Sequence, residues 1–248
     1  MSRPQPAGPA GQPATRPTAR AAARPSARSS SQPTGTVRLI GGLYKRSKLS
    51  VAKHPGLRPT PDRVRETLFN WLGQDLHGLR CLDAFAGTGA LGLEAASRRA
   101  SAVCLLERDP ALVQALRATV QRLGAAQVQV QQADALAWMA AATPGAWDVV
   151  FLDPPFAAAA GGDKASPQGS RGGAAGTDQA DAAAGGSLFA RALALARPLL
   201  APNGLVYLEA PLPWSDAMLE PLGLRVQRQG RAGQVHYHLL AAAHNHAP

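Results

Sequence analysis

Four residues, Asp153-Pro154-Pro155-Phe156, directly follow an apolar run, Trp147 to Leu152, that reads as a buried strand. Two successive prolines fix the backbone and remove two N–H donors. A rigid pair of acceptors remains, the Asp153 carboxylate and the Pro154 carbonyl. An exocyclic amine on a nucleobase has two N–H groups and a lone pair delocalised into its ring. Accepting both hydrogens orients that nitrogen and draws electron density onto it, so that the lone pair can attack an electrophilic carbon held in line. Phe156 offers a face on which the base can stack. Asp153, Pro154, Pro155 and Phe156 are therefore the candidate catalytic residues, with an ordinary Pro-rich turn as the alternative.

A second cluster, Asp83-Ala84-Phe85-Ala86-Gly87-Thr88-Gly89-Ala90-Leu91-Gly92, joins a strand to a helix. Gly87 and Gly89 allow a tight turn and close approach of backbone to a ligand. The run from Gly87 satisfies G-x-G-x-x-G, and Glu107, about 20 residues on, fits a ribose-binding acid. Alone, that motif admits a nicotinamide or flavin dinucleotide. Asp83 separates the readings, because a carboxylate there repels a pyrophosphate on the helix N-terminus but attracts the sulfonium and ammonium of S-adenosylmethionine. Asp134-Ala135, after a third strand, can meet an adenine amino group, or equally Asp134 can cap the next helix. The candidate cofactor contacts are Asp83, Phe85, Gly87, Gly89, Glu107, Asp134 and Ala135, and the expected cofactor is S-adenosylmethionine. Methylation of a ring carbon would need a cysteine nucleophile. Cys81 and Cys104 lie inside strand-like runs, and amine methylation needs no covalent step.

The elements that position these residues alternate. Strands are expected over Arg80 to Phe85, Ala102 to Glu107, Val128 to Gln131, Trp147 to Leu152 and Leu205 to Glu209, with helices over Ala90 to Arg98, Pro110 to Leu123, Ala135 to Ala141 and Leu188 to Leu200. Leu224 to Arg228 and Gln234 to Leu240 read as a closing hairpin. Such alternation implies a parallel sheet with helices on both faces. Ahead of it, a basic hairpin around Lys45-Arg46-Ser47-Lys48 precedes a helix in which Thr60 can cap, Pro61 suits the first turn, and Val64, Leu68 and Leu72 repeat at helical spacing. Residues 1–35, rich in Pro, Ala, Ser and Arg, read as a disordered tail. An Arg-rich transit peptide is the second reading, weakened by prolines that spoil an amphipathic helix. Nineteen of the thirty residues 157–186 are Gly or Ala, which reads as a flexible insertion in the domain 36–248.

The chain's 248 residues carry a formal charge of +10, and its placement is uneven. Residues 1–35 hold five Arg and no acid, residues 36–65 hold eight Lys or Arg against Asp62 alone, and the remainder is slightly acidic. That asymmetry is a footprint for a polyanion. The dense stretch supplies the candidate phosphate contacts Arg38, Lys45, Arg46, Lys48, Arg58, Arg63 and Arg65. No run approaches the ~18 apolar residues of a membrane span, and the N-terminus lacks the apolar core of a secretory signal. Cys81 and Cys104 form no C-x-x-C and read as reduced core thiols of a cytoplasmic protein. His236 and His238, on one strand face, read as surface histidines without acidic or Cys partners, so no metal is expected.

The runs Arg58-Pro59-Thr60 and Asp62 to Asn70, Phe85 to Ala95, and Asp153-Pro154-Pro155-Phe156 together resemble the bacterial RsmD-type family. The opening Val37 to Gly42 and the closing Gly233-Gln234-Val235 are similar too. The likeness covers roughly 36–156 and 187–240, and the helix from Asp62 to Asn70 is its family-specific part. The tail and the 157–186 insertion depart from it. The resemblance implies a class I S-adenosylmethionine-dependent methyltransferase fold, a Rossmann-like α/β domain whose mainly parallel seven-stranded sheet has an antiparallel last strand. It also implies methylation of the N2 amine of a guanine in small-subunit ribosomal RNA. The expected substrate is that RNA, naked or within an assembling 30S subunit, and a monomer is expected. The rival readings are a DNA adenine-N6 or cytosine-N4 methyltransferase, a nicotinamide dehydrogenase, and a non-catalytic RNA-binding protein. No large target-recognition segment supports the first of these.

Overall fold

The computed structural model describes residues 35–51, 60–155 and 187–243. The tail expected over 1–35 (but for Gly35), the 157–186 insertion, Arg58 and Phe156 lie outside the described residues.

Apolar runs bounded by Gly, Asp or Asn produce seven strands that hydrogen-bond into one sheet. They are β3 Arg80–Asp83, β4 Ala102–Glu107, β5 Val128–Gln132, β6 Trp147–Leu152, β7 Leu200–Ala210, β8 Leu224–Ala232 and β9 Val235–Ala242, in the spatial order β5-β4-β3-β6-β7-β9-β8. The pairings β3–β4, β3–β6, β4–β5 and β6–β7 are parallel, and β9 runs antiparallel to both β7 and β8. The expected mainly parallel seven-stranded sheet with an antiparallel last strand is therefore present. Its first five strands begin and end within a few residues of their expected bounds, though β7 starts five residues earlier than Leu205. The helix expected over Leu188 to Leu200 stops sooner, as α5 Leu188–Ala196 followed by a 3-10 turn at Arg197–Leu199, because Pro198 has no N–H to continue it.

Helices cover both faces. Those on one side are α1 Asp62–Leu72, α2 Ala90–Ser97 and α3 Pro110–Leu123, which share a core with Leu105, Phe151 and Tyr207 through Leu68, Phe69, Leu91, Leu93 and Leu116. On the other side α4 Ala135–Ala141, α5 and α6 Asp216–Leu219 contribute Met139, Phe189, Leu193 and Leu219 against Leu82, Leu106, Val150 and Leu240. Because β3 has β4 on one side and β6 on the other, the strand order reverses beside it, and the carboxyl ends of β3, β4 and β6 border the crevice where open α/β sheets hold ligands.

The segment before the sheet is held by a buried charge cluster. Strands β1 Gly35–Arg38 and β2 Lys48–Val51 pair antiparallel as the expected basic hairpin. Glu94 of α2, fully buried, accepts from Ile40 N at 2.7 Å, Gly41 N at 2.8 Å and Arg98 Nε at 3.0 Å. Arg65 of α1 approaches the same carboxylate at 3.6 Å and donates to Asp62 at 2.6 Å, the Arg38 carbonyl at 2.8 Å and the Thr60 carbonyl at 3.3 Å. The Arg98 guanidinium also lies over the Phe69 ring, 4.8 Å from its centroid.

This geometry corrects two expectations. Arg65 is not a phosphate contact, since it is fully buried and its guanidinium points inward at Glu94. Thr60 does not cap α1. The residue preceding the helix is Pro61, no side chain caps it, and the Thr60 hydroxyl turns instead toward the sheet. Removing the charge of Glu94 would leave the buried Arg98 guanidinium without its counter-ion and the buried Arg65 guanidinium with the exposed Asp62 alone. Glu94→Gln is expected to lower stability by about 3–5 kcal/mol in denaturant unfolding, against less than about 1 kcal/mol for Arg99→Ala at the exposed Arg99–Asp75 pair.

Candidate active site

Parallel register brings the strand-end acids together. Asp83 of β3 pairs with Leu105 on one side and Phe151 on the other, and Leu152 pairs with Leu208, so Asp153 and Glu209 leave neighbouring strands side by side. Each of these acids closes an apolar strand, and each meets the desolvation of its carboxylate differently.

Asp83 is 2% exposed, and its Oδ2 accepts from Gly92 N at 2.9 Å, with a further bond from the Phe85 backbone. Burial, aided by the nearby charge of Glu107, pushes its carboxyl up to about 7, although the two backbone donors oppose the shift. Gly89 sits at the start of α2 with φ +77°, a left-handed conformation that disfavours any side chain. Gly92 lets α2 lie directly on the sheet, since a Cβ there would run into the Leu105 side chain and come within 3.1 Å of Asp83 Cβ. Glu107, half-buried, accepts from Gly87 N and from Asp109 N, each at 2.9 Å, and so ties the glycine loop to the exit of β4. Phe85 is half-buried against the core on the α4 side of the sheet.

Asp134 is exposed and its Oδ1 accepts from Ala137 N at 2.9 Å, the N-cap arrangement of α4, while Ala135 is buried. The half-buried Asp153 is hydrogen-bonded to the Thr60 hydroxyl and flanked by Glu209 and Asp83. Burial first, and then those two negative neighbours, hold its carboxyl well above the usual range. Pro154 is buried and Pro155 exposed. Arg38, Lys45, Arg46, Lys48 and Arg63 are all exposed.

Sequence reasoning missed Glu209 and its partners. The carboxyl of Glu209, 3% exposed, accepts from the Tyr207 hydroxyl at 2.9 Å and from Thr60, and it faces Arg65. A usable signal was present, because an acid ends the apolar run Leu205 to Leu208 just as Asp83, Glu107 and Asp153 end or follow theirs. His238 was expected at the surface but is buried. Its Nε2 accepts from Trp214 N at 3.1 Å, because this face of β9 turns toward the segment leading into α6, and burial takes its imidazole down to about 4. Burial pushes the thiols of Cys81 and Cys104 up to about 12 and about 11, which leaves neither as a nucleophile. The site is thus an acid-lined crevice with a glycine loop, two acids committed to backbone donors, and a third acid, Asp153, followed by two prolines. Such a crevice favours a cationic ligand beside β3 and β4 and an amine donor beside β6.

The family described as Conserved hypothetical protein 95 matches residues 37–165. The chain is 48% identical over 124 residues to Ribosomal RNA small subunit methyltransferase D of Escherichia coli strain K12, a match that covers 50% of this chain and 62% of the relative's own length. The protein of the same name from Haemophilus influenzae is 46% identical over 125 residues, covering 49% of this chain and 65% of that one. Among solved structures, the Escherichia coli methyltransferase candidate yhhF superposes with a TM-score of 0.63 at 33% identity, covering 85% of this chain and 100% of that one. A methylase candidate from Haemophilus influenzae gives 0.58 at 30% identity, with coverage of 85% and 100%. The fold is that of the class I methyltransferases, as expected. The packing of Gly92 against Leu105 and Asp83 predicts that Gly92→Ala lowers stability by about 1–3 kcal/mol in thermal or denaturant unfolding, through overpacking of α2 against β4 and β3.

Proposed function

We propose, for a chain that belongs to the Conserved hypothetical protein 95 family, the RsmD-type family, S-adenosylmethionine-dependent methylation of the exocyclic N2 amine of a guanine in small-subunit ribosomal RNA. The observation that carries this reading is the Asp153 carboxyl at the carboxyl end of β6, beside the crevice and followed by two prolines. Two relatives named as ribosomal RNA small subunit methyltransferases support it.

The residues present suit the cofactor. Asp83, raised to about 7 by burial, is a carboxyl that a neighbouring positive charge would hold ionised. Gly87 and Gly89 keep two positions of the loop free of side chains, on either side of Thr88. Glu107 and Asp134 stand at the ends of β4 and β5, where ribose and adenine contacts fall in this reading, and Phe85 and Ala135 complete the wall. The cofactor supplies a methyl group made electrophilic by its sulfonium. Asp153 and the Pro154 carbonyl accept the two amine hydrogens and fix the nitrogen lone pair toward that carbon. Phe156 is assigned to stacking on the base. Arg38, Lys45, Arg46, Lys48 and Arg63, with Arg58, are assigned to RNA phosphates. The substrate in this reading is ribosomal RNA, naked or within an assembling 30S subunit, and the protein acts as a cytoplasmic monomer. No helix among the described residues is long and apolar enough to cross a membrane.

The test uses 30S subunits from cells lacking the protein, tritiated S-adenosylmethionine, and digestion of the RNA to nucleosides. The expected label is in N2-methylguanosine. Label in DNA adenine or cytosine, in a parallel arm with duplex DNA, would replace this reading with the DNA one. Asp153→Ala is expected to slow single-turnover methylation by ~10²–10³ with cofactor affinity retained in calorimetry, and Asp153→Asn nearly as much.

The basic hairpin generates a second outcome. Replacing Lys45, Arg46 and Lys48 by Ala should weaken RNA binding and flatten its salt dependence, by ~0.7–0.9 in logarithmic slope for each phosphate that is no longer neutralised. Deletion of residues 1–34 should change that slope less, and the reverse ranking would move RNA binding to the tail.

A further inference from the structure

Glu209 has no task in the roles assigned above, yet it is buried beside Asp153. The two carboxyls leave adjacent parallel strands at the same level, and the Thr60 hydroxyl lies within reach of both. A hydroxyl has one proton to give, so it cannot serve both carboxylates at once. The remaining partners are unequal. Glu209 also receives the Tyr207 hydroxyl at 2.9 Å and faces the Arg65 guanidinium. Asp153 has Thr60 and two negative neighbours, Glu209 of β7 and Asp83 of β3. Behind this pair Tyr207 faces Tyr237 of β9. Negative charge is therefore better held on Glu209, and Asp153 is the more basic member.

We propose that Glu209 is a positioning residue for amine capture, whose carboxylate, held by Tyr207 and Arg65, acts on the adjacent Asp153 carboxylate in its role as the amine's proton acceptor. The proposal rests on the reading of Asp153 as the acceptor of the amine. A nitrogen that gains a methyl group must shed a proton. As its lone pair forms the N–C bond and the C–S pair stays on sulfur, an N–H bond breaks with its pair left on nitrogen. The proton passes to an Asp153 carboxylate oxygen. Greater basicity at Asp153 strengthens the hydrogen bond before the step and the proton transfer with it.

The sign of the pH dependence follows. Activity requires ionised Asp153, so the rate rises with pH through the midpoint of that carboxyl. Removing the charge of Glu209 lowers the midpoint, and the acid limb of the rate profile moves to lower pH.

The test has a readout independent of RNA and cofactor. In protein labelled with 13C at the aspartate carboxyls, the Asp153 resonance, assigned by its loss in Asp153→Asn, is titrated by NMR. Glu209→Gln is expected to lower its midpoint by about one pH unit or more. In single-turnover methylation of 30S subunits lacking the modification, Glu209→Gln should shift the acid limb the same way and cut the plateau rate about tenfold, with cofactor affinity in calorimetry unchanged. Glu209→Asp keeps the charge and should return both readouts toward wild type. Tyr207→Phe, at nearly constant volume, loosens the hold on Glu209 and should give a smaller shift in the same direction. An unchanged Asp153 midpoint in folded Glu209→Gln or Tyr207→Phe overturns the proposal, as does Glu209→Asp behaving like Glu209→Gln. Failure of the wild-type protein to methylate the RNA would instead remove the amine reading, a result the titration does not depend on.

Discussion

The Glu94 carboxylate lies buried in α2 between two guanidinium groups and two backbone N–H donors, and three parts of the molecule meet at it. Through Ile40 and Gly41 it fixes the exit of β1. Through Arg65 it fixes α1 and, with it, the Thr60 that reaches Asp153 and Glu209. Through its own helix it fixes the end of the glycine loop. A buried pair of charges is costly, and its net gain over apolar packing is small. Its value here is in position, because few arrangements bring one carboxylate three hydrogen-bond donors and a second guanidinium from three separate segments.

The strand-end acids pose the opposite problem. Asp83, Glu107, Asp153 and Glu209 place like charges at one edge of a sheet, where each is paired with hydrogen-bond donors more than with cations. Asp83 and Glu107 take backbone donors, whose geometry the glycine loop sets. Asp153 and Glu209 take hydroxyls, and only Glu209 has a guanidinium near. In the proposed reading the crevice disfavours pyrophosphate and suits a ligand with positive charge, which would hold these raised carboxyls ionised. In the proposed reading, the same G-x-G-x-x-G spacing that serves dinucleotides in other sheets is turned toward a different ligand class by its acidic surroundings.

Much of this was legible in the chain. Asp109, Pro110 and Gly124 bracket α3 by local rules of capping, and β4, α3, α4 and β6 fall at their expected bounds because their signals lie within each segment. The glycine loop and the Asp-Pro-Pro turn were legible for the same reason. The misreadings share a cause in tertiary packing. Arg65 looks like one more cation in a basic stretch, and only Glu94, on another helix, makes it internal. Thr60 looks like a helix cap, and only the approach of β6 and β7 offers its hydroxyl something else. His238 and Glu209 are polar residues at strand positions whose buried side is decided by neighbours far away in the sequence, Trp214 for one and Thr60 for the other.

The place of β9 in the sheet bears on how the molecule comes into being. Strand β7, which carries Glu209, has β6 on one side and β9 on the other, and β8 joins the sheet only through β9. During synthesis the chain is read out in order, so β8 emerges before the strand it pairs with. Until residues 235–242 are made, the outer edge of β7 is unpaired and exposes the backbone of Leu205 to Ala210. The acidic crevice beside β3 and β4 can assemble early, from segments close in sequence. The wall around Glu209 waits for the far end of the sheet. A nascent chain would thus form the crevice beside β3 and β4 well before the wall around Glu209 is rigid, and the two sides would be separated in time as they are in sequence.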